Sequence, residues 1–127
     1  MLKLYLQPLP RDERPVLAGD HTAWPRPTAY TLRDRTVEHQ PNPVPGAPPI
    51  TLGHGYSTLV WVPEKQGSWA LPLSHERITS QETPFGKASE QLRQVQSRLP
   101  VRSISLWDAE HGCAPFVRPS PKAASWI

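Results

Sequence analysis

The sequence predicts an α/β fold, a mixed sheet crossed by one helix. Three observations point to it. A short apolar run, Pro15-Val16-Leu17-Ala18-Gly19-Asp20, ends on a carboxylate and is too brief for a helix. Residues 54–62 alternate as a strand does, and a turn signal and a second apolar run follow them. Beyond these, one apolar stripe at helical spacing leads into a last short run that also ends on an aspartate.

In chain order, residues 1–13 read as a leader ending in the charged cluster Arg11-Asp12-Glu13-Arg14. The first strand covers 15–20. Residues 21–49 show no apolar periodicity and are expected to form a long functional loop. Five prolines within 41–49 favour polyproline-II extension there. In the strand at 54–62, Tyr56, Thr58, Val60 and Val62 share one face, and Ser57, Leu59 and Trp61 the other. A turn at 63–67 leads to a return strand at 69–73, and Pro72 assigns that strand to a sheet edge, because proline cannot donate to a ladder. Thr83-Pro84 has the form of a helix start. Ala88, Leu92, Val95 and Leu99 then make the apolar stripe, with Lys87, Glu90, Gln91, Arg93, Gln94 and Arg98 on the solvated side, and Pro100 as the stop. The last strand, 101–107, places Ile104 and Leu106 on one face and ends on Asp108.

A helix that follows an antiparallel hairpin can return the next strand beside the first and parallel to it. The four predicted strands then lie in the order 3-2-1-4. Asp20 and Asp108 fall at the same end of two neighbouring strands, the end at which open α/β sheets hold ligands.

The 127 residues fit one domain, and 37% hydrophobic content allows a modest core. Seventeen prolines, against a usual level of about 5%, commit much of the chain to turns and edges. A formal charge of +3 is compatible with a nucleic-acid partner without demanding one. One cysteine, Cys113, excludes an internal disulfide framework and fits a reducing cytoplasm. The opening Met1–Leu6 stops at Gln7-Pro8, short of a signal-peptide core, and no run is long enough for a membrane helix. The chain is therefore expected to be cytoplasmic and free of the membrane.

Two carboxylates at adjacent strand ends suit a hard divalent cation that keeps its waters and takes phosphate oxygens. A strand-ending aspartate is equally a turn former. His21 admits two readings, contact with metal-bound water or substrate, or a polar loop residue. Trp24 and Arg26 can stack on and neutralise DNA, or Trp24 can pack on the sheet with Arg26 solvated. Lys87, with Arg93 and Arg98, forms a basic helix face open to the same two readings. His111-Gly112-Cys113 lacks the partners of a zinc site, and Cys113 reads as a small buried hydrophobe.

Several segments resemble one family. Gly19-Asp20-His21-Thr22-Ala23-Trp24-Pro25-Arg26-Pro27, Asp34–His39, the proline-rich connector, His54–Ser57 and Ser68–Leu73 are similar to the region around the first aspartate of DDE-type bacterial insertion-sequence transposases. Ser105–Gly112 resembles that family's second-aspartate motif. The likeness runs from about Arg14 to about Val117. It implies an RNase H-like sheet, incomplete at its C-terminus, with residues 14–117 as a partial DDE superfamily endonuclease domain and 118–127 as a divergent or disordered tail. It implies Mg²⁺ or Mn²⁺ at Asp20 and Asp108, transposon-end DNA as partner, and His21, Trp24, Arg26 and Lys87 as DNA contacts. The family's third acid, a glutamate on a later helix, has no counterpart in this sequence, so strand transfer by this chain is not expected. Loss of the last sheet strand is expected to expose the Asp108 strand as an apolar edge open to oligomerisation. Two alternatives stand beside this reading, a non-enzymatic module that docks or binds nucleic acid through its proline-rich segment, and a folded but inert product.

Overall fold

In the computed structural model, which describes residues 14–39, 45–46, 48–63, 66–67, 69–108 and the backbone of 125–126, the first apolar run forms β1 (Val16–Pro25). β1 continues five residues past Asp20 into the segment expected to be loop. The cause is tertiary. A long partner, β3 (Ile50–Val62), runs antiparallel to it over its whole length, from Val16↔Val62 to Pro25↔Gly53. Polar residues such as His21 and Thr22 are thereby held in a ladder that their own pattern does not announce. A further short strand, β2 (Thr36–His39), also lies inside the expected loop and pairs with residues 50–53 of β3. Residues 40–44 and 47, part of the proline-rich segment, lie outside the described residues, as does the leader 1–13.

The hairpin is present. β4 (Leu71–Ile78) runs antiparallel to β3, starting two residues later and ending five later than the sequence predicts. A register shift at Leu59/Val60 opposes Ser74 to Leu59 and Pro72 to Val60, a bulge in which Leu73 is the extra residue. Leu73 is 4% exposed and joins the core. β4 hydrogen-bonds to β3 alone among the described strands, so Pro72 occupies an edge as expected.

Helix α1 (Pro84–Gln96) starts as predicted, with Thr83 accepting from the Gly86 amide at 3.0 Å and Pro84 in the first turn. Such a cap contributes about 1 kcal/mol. It ends three residues before Leu99, where the Arg98 and Leu99 amides turn to the carbonyls three residues back. Leu99 still packs on the core from outside the helix. α1 carries the chain to β5 (Ile104–Leu106), which lies parallel to β1 through Val16↔Ile104, Leu17↔Ser105 and Ala18↔Leu106. The architecture is α/β, a mixed open sheet with one crossover helix. The path β4-β3-β1-β5 holds the four expected strands in their expected order, with β2 beside β4 along β3.

One expectation about the edge is overturned. β5 does not end the sheet, because β6 (Ser125–Trp126) pairs parallel to it at Ile104 and Ser105. That backbone occupies donors and acceptors that an exposed edge would leave open.

The two sheet faces differ. Under α1 lie Leu17, Leu59, Trp61, Leu73, Leu92 and Val95, the core cluster, where each fully buried leucine stabilises by roughly 1.5–3 kcal/mol. Gln91, expected on the solvated side, is 1% exposed within this layer. Ser105 of β5 and Ser103 just before it turn inward. Ser103 donates its amide and hydroxyl to Gln96 Oε1 at 2.9 and 2.7 Å, while Leu106 stays on the open face at 43% exposure. Among the described residues no helix is long and apolar enough to cross a membrane.

Candidate functional site

Strand alternation sends the even-numbered residues of β1 to the open face. Asp20 is there, exposed, in a row with its cross-strand partner Thr58 and with His75 beyond it on β4. Thr58 Oγ1 and His75 Nδ1 are 2.8 Å apart. Asp20 Oδ1 accepts from the His21 amide at 2.8 Å.

The second aspartate follows β5, which runs parallel to β1 as far as Ala18↔Leu106; Asp108 lies two residues beyond that strand and is exposed, while Asp20 lies within β1 rather than at its end. Trp107 fixes this end of β5. Its six-membered ring lies directly over Gly19, in the space that any Cβ at position 19 would need. Glycine at 19 therefore admits the indole, which also packs against the core cluster.

His21 does not join them. It lies on the opposite face, with Nε2 3.6 Å from Glu38 Oε2. Glu38 is 5% exposed and also accepts from Thr36 Oγ1 at 2.6 Å. Gly55 leaves the room for this pair, since a Cβ there would stand 2.9 Å from His21 Nε2. His21 is thus a strand residue whose imidazole faces Glu38, away from the Asp20 carboxylate that its amide meets. Lys87 is not on a solvated face either. It is nearly buried and bridges Glu82 at 2.7 Å and Glu76 at 3.2 Å.

Trp24 and Arg26 meet each other. The Arg26 guanidinium carbon sits 3.8 Å above the Trp24 ring, a cation–π contact, while its Nη1 donates to the Pro25 carbonyl. Trp24 is also 5.9 Å from Tyr56 at a tilted angle, and Tyr56 stacks on His75 at 5.1 Å with the planes parallel. His75 reaches the Asp20 face through the extension of β4 past residue 73, whereas Tyr56 lies in the strand that the sequence predicts. The alternation of β3 already groups Tyr56 with Thr58.

Residues 26–35 fold back over one end of this face. The Arg33 carbonyl meets His54 Nε2 at 3.0 Å, and Asp34, at φ 55°, pairs with Arg77 and accepts from the Ser80 amide at 3.2 Å. Hydrogen bonds from Ser80, then the Arg77 charge, hold Asp34 below its ordinary value of 3.8. The hydrogen bond from Lys87 holds Glu82 below 4.5, and Glu82 with Glu76 raises Lys87 above 10.5. The sign follows directly. A depressed carboxylate stabilises above its unfolded value and loses that contribution as pH falls through the folded one. The Lys87 contribution is complete below 10.5 and is lost only on the alkaline side. The thermal midpoint is therefore expected to decline as pH drops below 4.5 and again below 3.8. An Asp34→Asn/Glu82→Gln variant should flatten that acid limb; an acid limb of unchanged depth would assign the loss to other groups.

Chemically, the open face offers the Asp20 carboxylate, with Asp108 exposed beyond β5, a hydroxyl–imidazole pair and a row of rings. Oxygen donors of this kind fit a magnesium or manganese ion that retains several waters. Among the described residues no three of His, Cys, Asp or Glu gather into a metal-holding group. Residues 109–124, which include Glu110, His111 and Cys113, lie outside the described residues. Compared with known proteins, the chain matches no protein-family model, no curated protein and no solved structure.

Proposed function

We propose that the chain carries the part of a DDE-type transposase catalytic domain, RNase H-like in architecture, that bears the first two metal-binding acids. The observation that carries this reading is the parallel pairing of β1, the strand that bears Asp20, with β5, the strand that leads to Asp108. The order β4-β3-β1-β5 with a single crossover helix supports it. So does the sequence of motifs around Asp20 and Asp108.

In this reading Asp20 and Asp108 hold one Mg²⁺ or Mn²⁺ ion, which supplies Lewis-acid activation of a phosphodiester. The two carboxylates would hold the ion from the open face, with Trp24 farther along β1 and Arg26 just past its end. Lys87 contributes through its two carboxylate partners, which keep β4 and α1 together. A third acid completes the ligand set in such enzymes. With two, the described residues are suited to metal-dependent DNA binding rather than strand transfer.

Manganese titration tests the reading. Wild-type protein is expected to bind Mn²⁺ in calorimetry, and Asp20→Asn and Asp108→Asn are each expected to weaken binding at least about tenfold, as loss of one of two charged ligands should. Glu90→Gln, on the exposed helix surface, serves as control. Equal affinity in all four proteins would overturn the shared-ion assignment.

A further inference from the structure

The open face holds more than the acid pair. Four groups from three elements form a continuous row, Arg26 over Trp24, Trp24 against Tyr56, and Tyr56 stacked on His75. The row crosses from β1 over β3 to β4. It is accessible at both ends. Trp24 keeps 48% of its surface exposed, and His75 is exposed on an edge strand with its Nδ1 fixed by Thr58. Such surface is unusual for an isolated tryptophan on a sheet, because burial of the ring would have been favourable.

Arginines flank the row. Residues 24–35 supply Arg26, Arg33 and Arg35 with one carboxylate, Asp34, β4 adds Arg77 and Glu76, and Asp20 shares the open face. Arg77 is spent on Asp34. Arg26 lies on the Trp24 ring, and Arg33 and Arg35 follow in the segment that folds back over this end of the face. Arg35 is oriented by the Arg26 and Pro27 carbonyls at 3.0 and 2.8 Å.

We propose that this row is a stacking platform for an unpaired polynucleotide strand. Bases extend the stack at Trp24 and at His75, and the arginines meet the phosphates. Aromatic rings next to guanidiniums bind single strands because every base presents a π face, whereas a duplex keeps its bases stacked on one another. Trp24 is four residues from Asp20 along β1 on the same face, about 13 Å at strand rise. A strand held on the row is thus led toward the acid pair. That last step rests on the proposed function; the stacking itself does not, and it is tested with the metal removed.

The probes are a fluorescein-labelled oligothymidylate and a hairpin duplex of equal nucleotide number, followed by anisotropy in EDTA at low salt. The oligothymidylate is expected to bind more tightly than the hairpin. Trp24→Ala and His75→Ala should each weaken it at least about fivefold, the effect of one lost base stack. Trp24→Phe should restore most of the affinity. Trp69→Ala, which removes an exposed tryptophan outside the row, should change nothing. Circular dichroism of each variant verifies folding. Tighter binding of the hairpin, absence of oligothymidylate binding, or equal losses from Trp24→Ala and Trp69→Ala would each overturn the platform. Failure of the manganese titration with this pattern intact would strike the acid pair alone.

Discussion

Gly19→Val is expected to cost about 3 kcal/mol or more and to abolish Mn²⁺ binding without touching either carboxylate. The Cβ of any residue at 19 would fall inside the Trp107 ring, a rigid group that cannot step aside as a flexible side chain would. Overpacking of this kind costs about 1–3 kcal/mol where neighbours can relax. Here relaxation requires moving the end of β5. Displacing Trp107 also displaces Asp108, the residue after it. Stability and metal affinity should therefore fall together. Thermal unfolding and manganese titration of Gly19→Ala and Gly19→Val read both quantities. A stable Gly19→Val protein with wild-type Mn²⁺ affinity would show that Trp107 does not set the position of Asp108.

This coupling could be seen in the sequence only in part. The pairing Gly19-Asp20 and Trp107-Asp108 is visible as two strand ends of like composition, and the parallel return of β5 follows from helix and strand order. What a sequence reading lacks is a reason for glycine at 19. That reason is an indole from eighty-eight positions away. The extension of β1 through Pro25 was hidden for a similar cause. His21-Thr22-Ala23-Trp24 has no buried face of its own, and it becomes strand because β3 is thirteen residues long and offers a partner at every position. β2 has four residues, with Val37 70% exposed, so no alternation could mark it. Glu38 reads as surface and is buried because His21 and Thr36 meet its carboxylate. The aromatic row was legible residue by residue but not as a row, since its members come from three strands whose register the sequence does not state.

The largest disagreement between helical pattern and structure is Gln91, and it carries the second prediction. Gln91 lies between Ala88 and Leu92, and by its polarity it belongs to the solvated side. It is instead clamped under α1. Its Oε1 accepts from Ser57 Oγ at 2.6 Å, and its Nε2 donates to the Ser57 carbonyl at 3.0 Å and to Ser74 Oγ at 2.9 Å. One side chain thus fastens the helix to both β3 and β4. Gln91→Leu keeps the volume close but strands the Ser57 hydroxyl, 1% exposed, and removes the donor to Ser74. Each buried polar group left unsatisfied costs about 1–3 kcal/mol, so a loss of about 2–5 kcal/mol is expected in urea unfolding. Ser57→Ala removes one partner and should cost less. The double variant Gln91→Leu/Ser57→Ala is expected to be more stable than Gln91→Leu, because an apolar pair replaces a half-satisfied one. Strict additivity of the two changes would show that the hydroxyl and the amide do not act as a unit. The helix would then be held to the sheet by its apolar residues and the Lys87–Glu76 bridge, and the Gln91 clamp would be an incidental contact.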